Sequence, residues 1–484
     1  LLEKAGADVF VAKPTHSLDS LPQDFDLVLN LWAYSEDETP VLEKIQDWWI
    51  KTAQRAETIL RLAKNMVRFM QRNKNNRPLW VEVTALGGEL GAHEITRVSA
   101  RAGIGLGILR CLACEFQDTL ESLYLDFDSR EAPQKVAESI LNELTHYRTH
   151  REIGYTKGRR FAIHWKKEPL PEPSGQLSLK DNGVVLAIGG ARGITASICK
   201  GLAAHSRSTN FIIVGRSPFS IDMQANPPKP LEFDQARRIL LEQAQAQGGR
   251  IVPAEIDRFA WEEVWKMERA WNMHYLKVTS GGNVTYRQCD ITEAVQVSAL
   301  VQEIREVYGR IDLVIQGASD LIEKSTEDIS VEEFVQRMKS KALGTANLLA
   351  ALADIEVSTF VNFSSVAGRW GNMGQGSYAA GHEVAEILVS GIRLKRPGRW
   401  INVFFGPWLN EGMIRIGPVT ERLQAKRSDF IIANAGNQFF LKEFTAGTSH
   451  NVAFCGAGSF RTMGIRNAIK QNFRPELGCL LGSS

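Results

Sequence analysis

Two hydroxyl-bearing residues, Ser365 and Tyr378, stand thirteen positions apart and are the clearest candidates for chemistry in the sequence. Reduction of a ketone by a hydride needs an acid that protonates the developing alkoxide and a second hydrogen bond that holds the carbonyl. A tyrosine can be that acid and a serine can supply that hydrogen bond. The pair therefore indicates carbonyl reduction, although a Ser-Ser at a strand end is, taken alone, more often a structural turn.

A lysine is the expected third member of this set. The pKa of a phenol is near 10, and moving it toward 7 takes about 4 kcal/mol of selective stabilisation of the anion. A nearby ammonium group can supply that stabilisation. Lys341, in the segment Lys341-Ala342-Leu343-Gly344, is the candidate.

A glycine-rich segment lies between an apolar strand pattern, Val184 to Ile188, and a helical pattern, Ala196 to Ala204. Glycines let the backbone approach a pyrophosphate, and the N-terminus of the helix supplies N–H donors and a positive dipole end. A lone G-x-x-x-G is a weak signal, but its place after a clean strand favours a dinucleotide site. The segment reads Gly189-Gly190-Ala191-Arg192-Gly193-Ile194-Thr195.

Arg216 and Ser217 follow the next strand pattern, Phe211 to Val214. An NAD site usually has an acidic residue there, whereas a basic residue suits the 2′-phosphate of NADPH. Arg192 can add a second charge, because guanidinium groups bind phosphate through two parallel hydrogen bonds. Either arginine alone could be a solvated loop charge, but the two together favour NADPH.

Asp290, which precedes Ile291, has two possible roles. It could accept a hydrogen bond from the amine of the cofactor's adenine, or it could cap the helix predicted after Thr292.

These residues need an α/β framework, and 484 residues are enough for two or three domains. In the first 170 residues strand and helix patterns alternate, which favours a parallel sheet. Gly87 to Gly91 is glycine-rich, but a helix that opened there would present Glu89 to a phosphate, so this half is interpreted as scaffold. Strands are predicted at Asp8–Ala12, Asp26–Leu31 and Leu79–Ala85, with two helices between Val41 and Gln71 and one at Val136–Leu144.

Pro169 to Leu179, rich in proline and polar residues, is typical of a linker. A second α/β unit follows it, with further strands at Ile311–Gln316, Thr359–Phe363 and Trp400–Phe405. A long insertion, about 218–287, holds helical stretches at Phe233–Gln247 and Phe259–Trp271.

The composition is that of an ordinary globular enzyme, with 44% hydrophobic and 23% charged residues and a net charge of +2. That balance gives no reason to expect nucleic acid or a membrane as a partner. Six cysteines show no disulfide framework, and Cys111-x-x-Cys114 is interpreted as core packing rather than a redox or metal site. A cytoplasmic location is expected, and the ends of the chain resemble those of a fragment of something larger.

The order of the motifs resembles the ketoreductase domains of type I polyketide synthases, members of the short-chain dehydrogenase/reductase superfamily. The motifs are the glycine loop, G-R-S, C-D, K-x-x-G, F-S-S-x-A-G and Y-A-A. The branch similar to polyunsaturated fatty acid synthases fits best, because of Gly-Ala-Arg-Gly-Ile-Thr and the insertion before Cys289. Gly105 to Asp128 and Glu152 to Pro171 resemble the degenerate structural subdomain of these ketoreductases.

The resemblance implies an α/β fold with two Rossmann-like subdomains, the first degenerate and structural, the second catalytic with a doubly wound parallel sheet. The expected boundaries are 1–170 for the structural subdomain, 171–180 for the linker, 181–465 for the catalytic subdomain and 466–484 for a C-terminal linker.

The resemblance also implies a function, the reduction by NADPH of a β-ketoacyl thioester to a β-hydroxyacyl thioester. The substrate would be carried on the phosphopantetheine of an acyl carrier protein, within a larger multienzyme. Tyr378 would protonate the keto oxygen, Ser365 would hold it, and Lys341 would lower the pKa of the tyrosine and contact the nicotinamide ribose.

The sequence departs from the family pattern at His382, where an asparagine is usual, and at Thr195, where a third glycine is usual. An imidazole can accept from an ammonium or relay protons, but it is larger and can itself become cationic. A catalytically silent scaffold domain is therefore the alternative function. The insertion could serve carrier-protein docking or dimer contacts.

Further roles come from the same resemblance. Gly317 and Ala318 would form the floor of the nicotinamide pocket, and Pro407 would contact the cofactor. Trp370, eight residues before Tyr378, favours an L-configured product, although Glu323 leaves that open. Trp408 and Met413 would lie at the mouth of the site, or they are simply core residues.

Overall fold

The structure is a computed structural model of the 484-residue chain. It describes residues 3, 8–11, 25–34, 44–91, 99–145, 150–162, 165, 169, 179, 182–206, 208–219, 226–246, 252–409 and 430–455. None of the helices in these ranges is long and apolar enough to cross a membrane. The predicted linkers at 171–180 and 466–484 lie almost wholly outside the described residues, so the domain boundaries stay predictions.

The first half contains one sheet whose strands follow the order of the chain, β1-β2-β3-β4-β5. The first four strands are parallel, and β5 is antiparallel to β4. Because the order of the strands formed by the described residues does not reverse, they form no switch point at which a ligand crevice would open. The elements are β1 (Leu27–Asn30), α1 (Ile45–Arg72), β2 (Leu79–Thr84), α2 (Ala102–Glu115), β3 (Glu121–Phe127), α3 (Pro133–Thr145), β4 (Glu152–Thr156) and β5 (Arg159–Ala162).

The second half begins with the elements that carry the glycine loop and the insertion. They are β6 (Val184–Ile188), α4 (Gly193–His205), β7 (Thr209–Gly215), α5 (Phe233–Ala246), α6 (Pro253–Thr279) and β8 (Gly281–Gln288). The remaining elements are α7 (Ala294–Tyr308), β9 (Arg310–Gln316), α8 (Val331–Ala351), β10 (Glu356–Ser365), α9 (Val366–Trp370), α10 (Gly376–Arg393), β11 (Arg399–Phe405), α11 (Ala433–Ala446) and β12 (Asn451–Phe454).

The second sheet is parallel throughout, with the order β12-β11-β10-β9-β6-β7-β8. Alternate residues of β6 pack on opposite faces: Leu186 against the side that includes α8 and α10, and Ala187 against the side that includes α4, α6 and α11. The strand is apolar throughout because both faces are covered. The α/β fold class with a doubly wound second sheet is confirmed.

Some sequence predictions were wrong. Asp8–Val11 forms no strand, and Ala12 lies outside the described residues. The two helices predicted between Val41 and Gln71 are the single helix α1, since no glycine or proline interrupts its apolar face. The predicted insertion ran to Arg287, but β8 pairs with β7 as the edge of the sheet. The inserted helices therefore end at Thr279.

The two halves meet where α2 packs against α10. A Cβ on Gly103 would come within 2.4 Å of the Val384 nitrogen, and one on Gly107 within 2.4 Å of the Ala380 nitrogen. The helices approach this closely only because both positions are glycine. The first half thus lies directly against the helix that carries Tyr378 and His382.

Four buried or partly buried charges join the halves beside this helix contact. Arg110 of α2 binds Glu383 of α10, and it reaches Glu152 of β4 at 3.2 Å. Glu152 is also bound by Arg369 of α9. Although burial acts to raise it, the Arg369 and Arg110 guanidinium groups hold the pKa of Glu152 at about 2. Breaking one member of such a buried set is costly, because its partner is left uncompensated.

Candidate functional site

A cavity of about 700 Å³ opens at the carboxyl ends of the strands of the second sheet. It lies where the strand order reverses, between β6 and β9, which is the usual ligand crevice of a doubly wound sheet. The predicted site residues that line it are Gly189, Ala191, Arg192, Gly193, Ile194, Arg216, Ser217, Asp290, Ile291, Gly317, Ala318, Ser365, Tyr378, His382, Pro407 and Trp408.

The glycine loop turns tightly between β6 and α4. Gly189 and Gly193 have φ of 76° and 62°, a region in which side chains other than glycine are strained. A Cβ on Gly189 would come within 3.3 Å of the Ala318 nitrogen. Thr195, in place of a third glycine, is accommodated because the facing residue is Gly317, where a Cβ would come within 2.0 Å of the threonine hydroxyl. Gly190 does not line the cavity and packs on Ala187.

The two arginines predicted to bind phosphate lie at different places along the cavity. The guanidinium of Arg192 stands 4.3 Å from the ring centre of Trp265 in α6. Arg216 is exposed at the end of β7. The next residue, Ser217, accepts a hydrogen bond at its carbonyl from Tyr286 at 2.6 Å.

Asp290 uses one oxygen locally. Its Oδ1 accepts from the Thr292 backbone N–H at 2.9 Å and from the Thr292 hydroxyl at 2.8 Å. The helix that follows, α7, begins at Ala294 and has Glu293 as its N-cap, so the predicted helix cap is wrong and Asp290 instead closes a turn. Because Asp290 also lines the cavity, the adenine role stays a prediction.

Ser365 and Tyr378 lie together at the wall of the cavity, where Ser365 acts on the pKa of the tyrosine. Ser365 ends β10 and is the N-cap of α9, where its hydroxyl accepts from the Ala367 N–H at 3.1 Å. Burial raises the pKa of Tyr378 to about 12, although the Ser365 side chain acts to lower it. The tyrosine is therefore protonated at neutral pH and can donate.

Lys341 lies behind the cavity wall. Its ammonium donates to the Gln316 carbonyl at 3.1 Å and to the Phe363 carbonyl at 2.6 Å. Burial lowers the pKa of Lys341 to about 7, against the nearby Glu386, which acts to raise it. The lowering of the Tyr378 pKa by Lys341 stays a prediction.

His382 is buried below Tyr378, with ring centres 4.2 Å apart. Its Nε2 lies 3.2 Å from the Ser319 hydroxyl and its Nδ1 3.2 Å from the Ser364 hydroxyl. Ser364 in turn donates to Glu386. Burial and Lys341 lower the pKa of His382 well below its usual value, so the ring is neutral. No hydrogen bond joins His382 to Lys341 within the described part of the chain.

Among the described residues predicted to control stereochemistry, Trp408 lines the cavity, whereas Trp370 and Glu323 do not. Trp370 packs on Trp165 and Phe404, with ring centres 5.1 and 6.5 Å away. Glu323 accepts from Gln375 at 2.9 Å, and Gln375 does line the cavity. Trp408 lines the cavity but is 1% exposed. Met413 lies outside the described residues, so its role stays a prediction.

Several lining residues were missed by the sequence reasoning. Helix α6 contributes Trp261, Trp265, Glu268 and Arg269, and the segment before α10 contributes Asn372 and Gln375. Asn372 and Gln375 stand within six residues of Tyr378, a local signal that could have found them. The α6 residues have no comparable signal, because only tertiary packing brings them to the glycine loop.

Comparison with known proteins identifies the family. Residues 183–398 match the family model described as the KR domain. The chain is 26% identical over 354 residues to a polyunsaturated fatty acid synthase polypeptide of Thraustochytrium, in a match that covers 70% of this chain and 12% of that protein. It is 23% identical over 316 residues to the polyketide synthase PksN of Bacillus subtilis, covering 64% of this chain and 5% of that protein.

Solved structures show the same fold. A ketoreductase domain from the bacillaene assembly line has a TM-score of 0.60 at 20% identity, covering 89% of this chain and 88% of that one. A C2-type ketoreductase from a modular polyketide synthase has a TM-score of 0.63 at 16% identity, covering 93% and 82%. Residues 183–398 therefore match the KR domain family, whose members are NAD(P)-dependent reductases, and the chain is similar to the ketoreductase domains of polyketide-synthase-type multienzymes.

Proposed function

We propose that the chain reduces the β-keto group of an acyl chain with NADPH, giving a β-hydroxyacyl thioester. The substrate would be linked to the phosphopantetheine of an acyl carrier protein, and neighbouring domains would belong to the same multienzyme. The observation that carries this proposal is the pair Ser365 and Tyr378, which lines one cavity together with the glycine loop.

The cavity fits a dinucleotide. A backbone cradle around Gly189 leaves little room for a side chain, and the Nε of Arg269, which lines the same cavity, is buried without a hydrogen-bond partner. When bound, NADPH would supply the hydride. Residues 189–194 would hold the pyrophosphate, Arg216 the 2′-phosphate and Asp290 the adenine, while Gly317, Ala318 and Pro407 would border the nicotinamide.

Tyr378 would donate the proton to the developing alkoxide. Its pKa of about 12 keeps the phenol protonated at neutral pH, as a general acid requires. The Ser365 hydroxyl would supply the second hydrogen bond to the same oxygen. Lys341 would supply a positive charge only in its ammonium form, which predominates below its pKa of about 7.

The consumption of NADPH by the chain with a β-ketoacyl thioester, followed by absorbance, tests this function. We expect Tyr378→Phe to lose at least about a thousandfold in rate, because it removes the proton donor. Tyr308→Phe, in the distant helix α7, is the matched control and should behave like the parent. No consumption by the parent, or equal rates for the parent and Tyr378→Phe, would contradict the proposal.

A silent scaffold is the second candidate, and His382 favours it. The ring occupies the position where an asparagine is usual, and the nearby ammonium is bound to main-chain carbonyls. His382→Asn separates the two functions. Activity that appears only in the asparagine variant would show that the parent is silent, whereas an active parent excludes the scaffold.

A further inference from the structure

The insertion helix α6 turns one face toward the glycine loop. The residues on that face, Trp265, Glu268, Arg269 and Asn272, follow the i, i+3, i+4, i+7 spacing of one side of a helix. Trp265, Glu268 and Arg269 also line the cavity. The insertion therefore borders the dinucleotide crevice instead of standing away from it.

Three consecutive residues of the loop are in contact with this face. Asn272 donates to the Ala191 carbonyl at 3.1 Å, Trp265 lies under the Arg192 guanidinium at 4.3 Å, and Glu268 accepts from the Gly193 N–H at 2.9 Å. Glu268 and Asn272 are 7% and 3% exposed. Because these bonds are shielded from water, α6 has a fixed position relative to the loop.

Arg269 is the member of this face that lacks a polar partner. Its Nε is buried, and no hydrogen bond or ion pair joins it to any other residue that the structure describes. The guanidinium lies 5.8 Å from the ring centre of Phe219, in the segment after β7. A buried guanidinium N–H without an acceptor is destabilising, so the position is explained by an acceptor that it meets on binding.

The end of β7 is where that acceptor is expected. In a doubly wound fold the residues at the end of the second strand bind the adenosine ribose, and a basic residue there accommodates a 2′-phosphate. Arg269 lines the cavity together with Arg216 and Ser217, which follow β7 directly. Arg192, by contrast, has its guanidinium over the Trp265 ring.

We propose that Arg269, supplied by the insertion, binds the 2′-phosphate of NADPH together with Arg216 and so determines the preference for NADPH over NADH. This inference rests on the cofactor of the proposed function. A planar guanidinium suits the site, because it binds phosphate through two parallel hydrogen bonds. The insertion is then a specificity element of the cofactor site.

Binding of adenosine fragments, measured by calorimetry, tests this without catalysis. The probes are adenosine 2′,5′-bisphosphate and adenosine 5′-monophosphate, which differ only in the 2′-phosphate. For Arg269→Ala we expect Kd for the bisphosphate to rise about 10- to 100-fold, the usual effect of losing a charged hydrogen bond, and Kd for the monophosphate to stay within about twofold.

Two further variants sharpen the result. Arg258→Ala, on the same helix with its side chain 60% exposed, is the matched control and should bind both fragments like the parent. Arg269→Lys keeps the charge and loses the planar fork, so we expect an intermediate Kd for the bisphosphate. Circular dichroism of each variant verifies that α6 is folded.

The outcomes separate this inference from the function. Equal binding of the bisphosphate by the parent and Arg269→Ala would overturn the inference, even with an active parent. An equal loss for both fragments would also overturn it, because Arg269 would then act elsewhere than at the 2′-phosphate. A parent that prefers the bisphosphate through Arg269 but reduces no thioester would leave the inference standing and refute the function. A parent that binds neither fragment would refute both.

Discussion

The two glycine-rich loops of the chain, residues 87–91 and 189–193, each follow a strand of a parallel sheet but use their N–H groups differently. In the first loop the N–H groups of Leu86, Gly88 and Leu90 all donate to the carboxylate of Asp126, at 2.7 to 2.8 Å. Strand β4 also packs against this loop, since a Cβ on Gly88 would come within 2.2 Å of the Tyr155 carbonyl. The first loop thus binds an anion that belongs to its own sheet.

The carboxylate that binds the second loop has a different source. Glu268 accepts from Gly193, and it comes from the insertion helix rather than from a neighbouring strand. Gly189, Ala191, Arg192 and Gly193 of this loop line the cavity. A turn of exposed N–H groups is therefore a general anion-binding site. The surrounding chain determines whether a side chain or a ligand occupies it.

Asp126→Ala would remove the internal anion of the first loop and should have the largest effect. Three backbone N–H groups and the Thr84 hydroxyl would lose their acceptor in a buried place, so we expect the free energy of unfolding to fall by about 4 kcal/mol. Urea unfolding measures it. Asp118→Ala, an exposed aspartate of the same half, is the control, and a similar small change in both variants would contradict the role of Asp126.

Gly107→Ala tests how far the first half supports the second. The added Cβ would meet the backbone of α10 at 2.4 Å, and we expect a loss of about 2 kcal/mol in the free energy of unfolding, together with a lower kcat from displacement of Tyr378. Gly376→Ala is the control, because its nearest atom would be 3.7 Å away. Unchanged stability and kcat in Gly107→Ala would show that the helix contact tolerates a methyl group.

Arg216→Asp tests the cofactor site beside the second loop. Losing a charge-assisted contact with the 2′-phosphate costs about 1.5–3 kcal/mol, so the preference for NADPH over NADH should fall by at least about tenfold. The ratio of the two kcat/KM values measures this preference. An unchanged ratio would mean that the 2′-phosphate is held elsewhere.

A last pair of variants compares one buried titratable group from each half. Burial raises the pKa of Glu82 to about 8 and lowers that of Lys341 to about 7. The stability that Glu82 contributes is present below its unfolded pKa, near 4.5, and is lost as pH rises through 8. The contribution of Lys341 has the opposite sign, since it is present above its unfolded pKa, near 10.5, and is lost as pH falls through 7.

We therefore expect the unfolding free energy of the parent relative to Glu82→Gln to fall between pH 5 and 8, and that relative to Lys341→Met to rise between pH 7 and 10. The slopes are at most about 1.4 kcal/mol per pH unit. Urea unfolding at several pH values measures both differences, and flat differences would show that neither group titrates in that range.

The sequence alone predicted the parts of the site whose residues follow a strand directly or stand close together along the chain. The glycine loop and Ser365 each stand at the end of an apolar strand, and the parallel fold brings such ends to one edge. Tyr378 lies in the first turn of α10, thirteen residues after Ser365. Glu268 and Arg269 could not be found in this way. They lie about 75 residues after the glycine loop, and only the packing of α6 brings Glu268 into contact with the loop and Arg269 to the same cavity.

The errors have a similar origin. Asp8–Val11 has the composition of a strand, but no neighbouring strand pairs with it among the described residues, and a strand forms only with a partner. The state of Lys341 was also out of reach, because its pKa depends on burial and on two carbonyl groups from different strands. The chemistry of each residue type was predictable, and its surroundings were not.

The close contact of α2 and α10 has a consequence for attempts to recombine this chain with others. A cut in the predicted linker at 171–180 would leave α10 without its partner helix, with the backbone at Ala380 and Val384 exposed to water. It would also leave Glu383 and Arg369 without Arg110 and Glu152. An exchangeable cassette of this chain therefore has to include the first sheet, and a chimera joined at the predicted linker would need a donor half with glycines at the positions of Gly103 and Gly107.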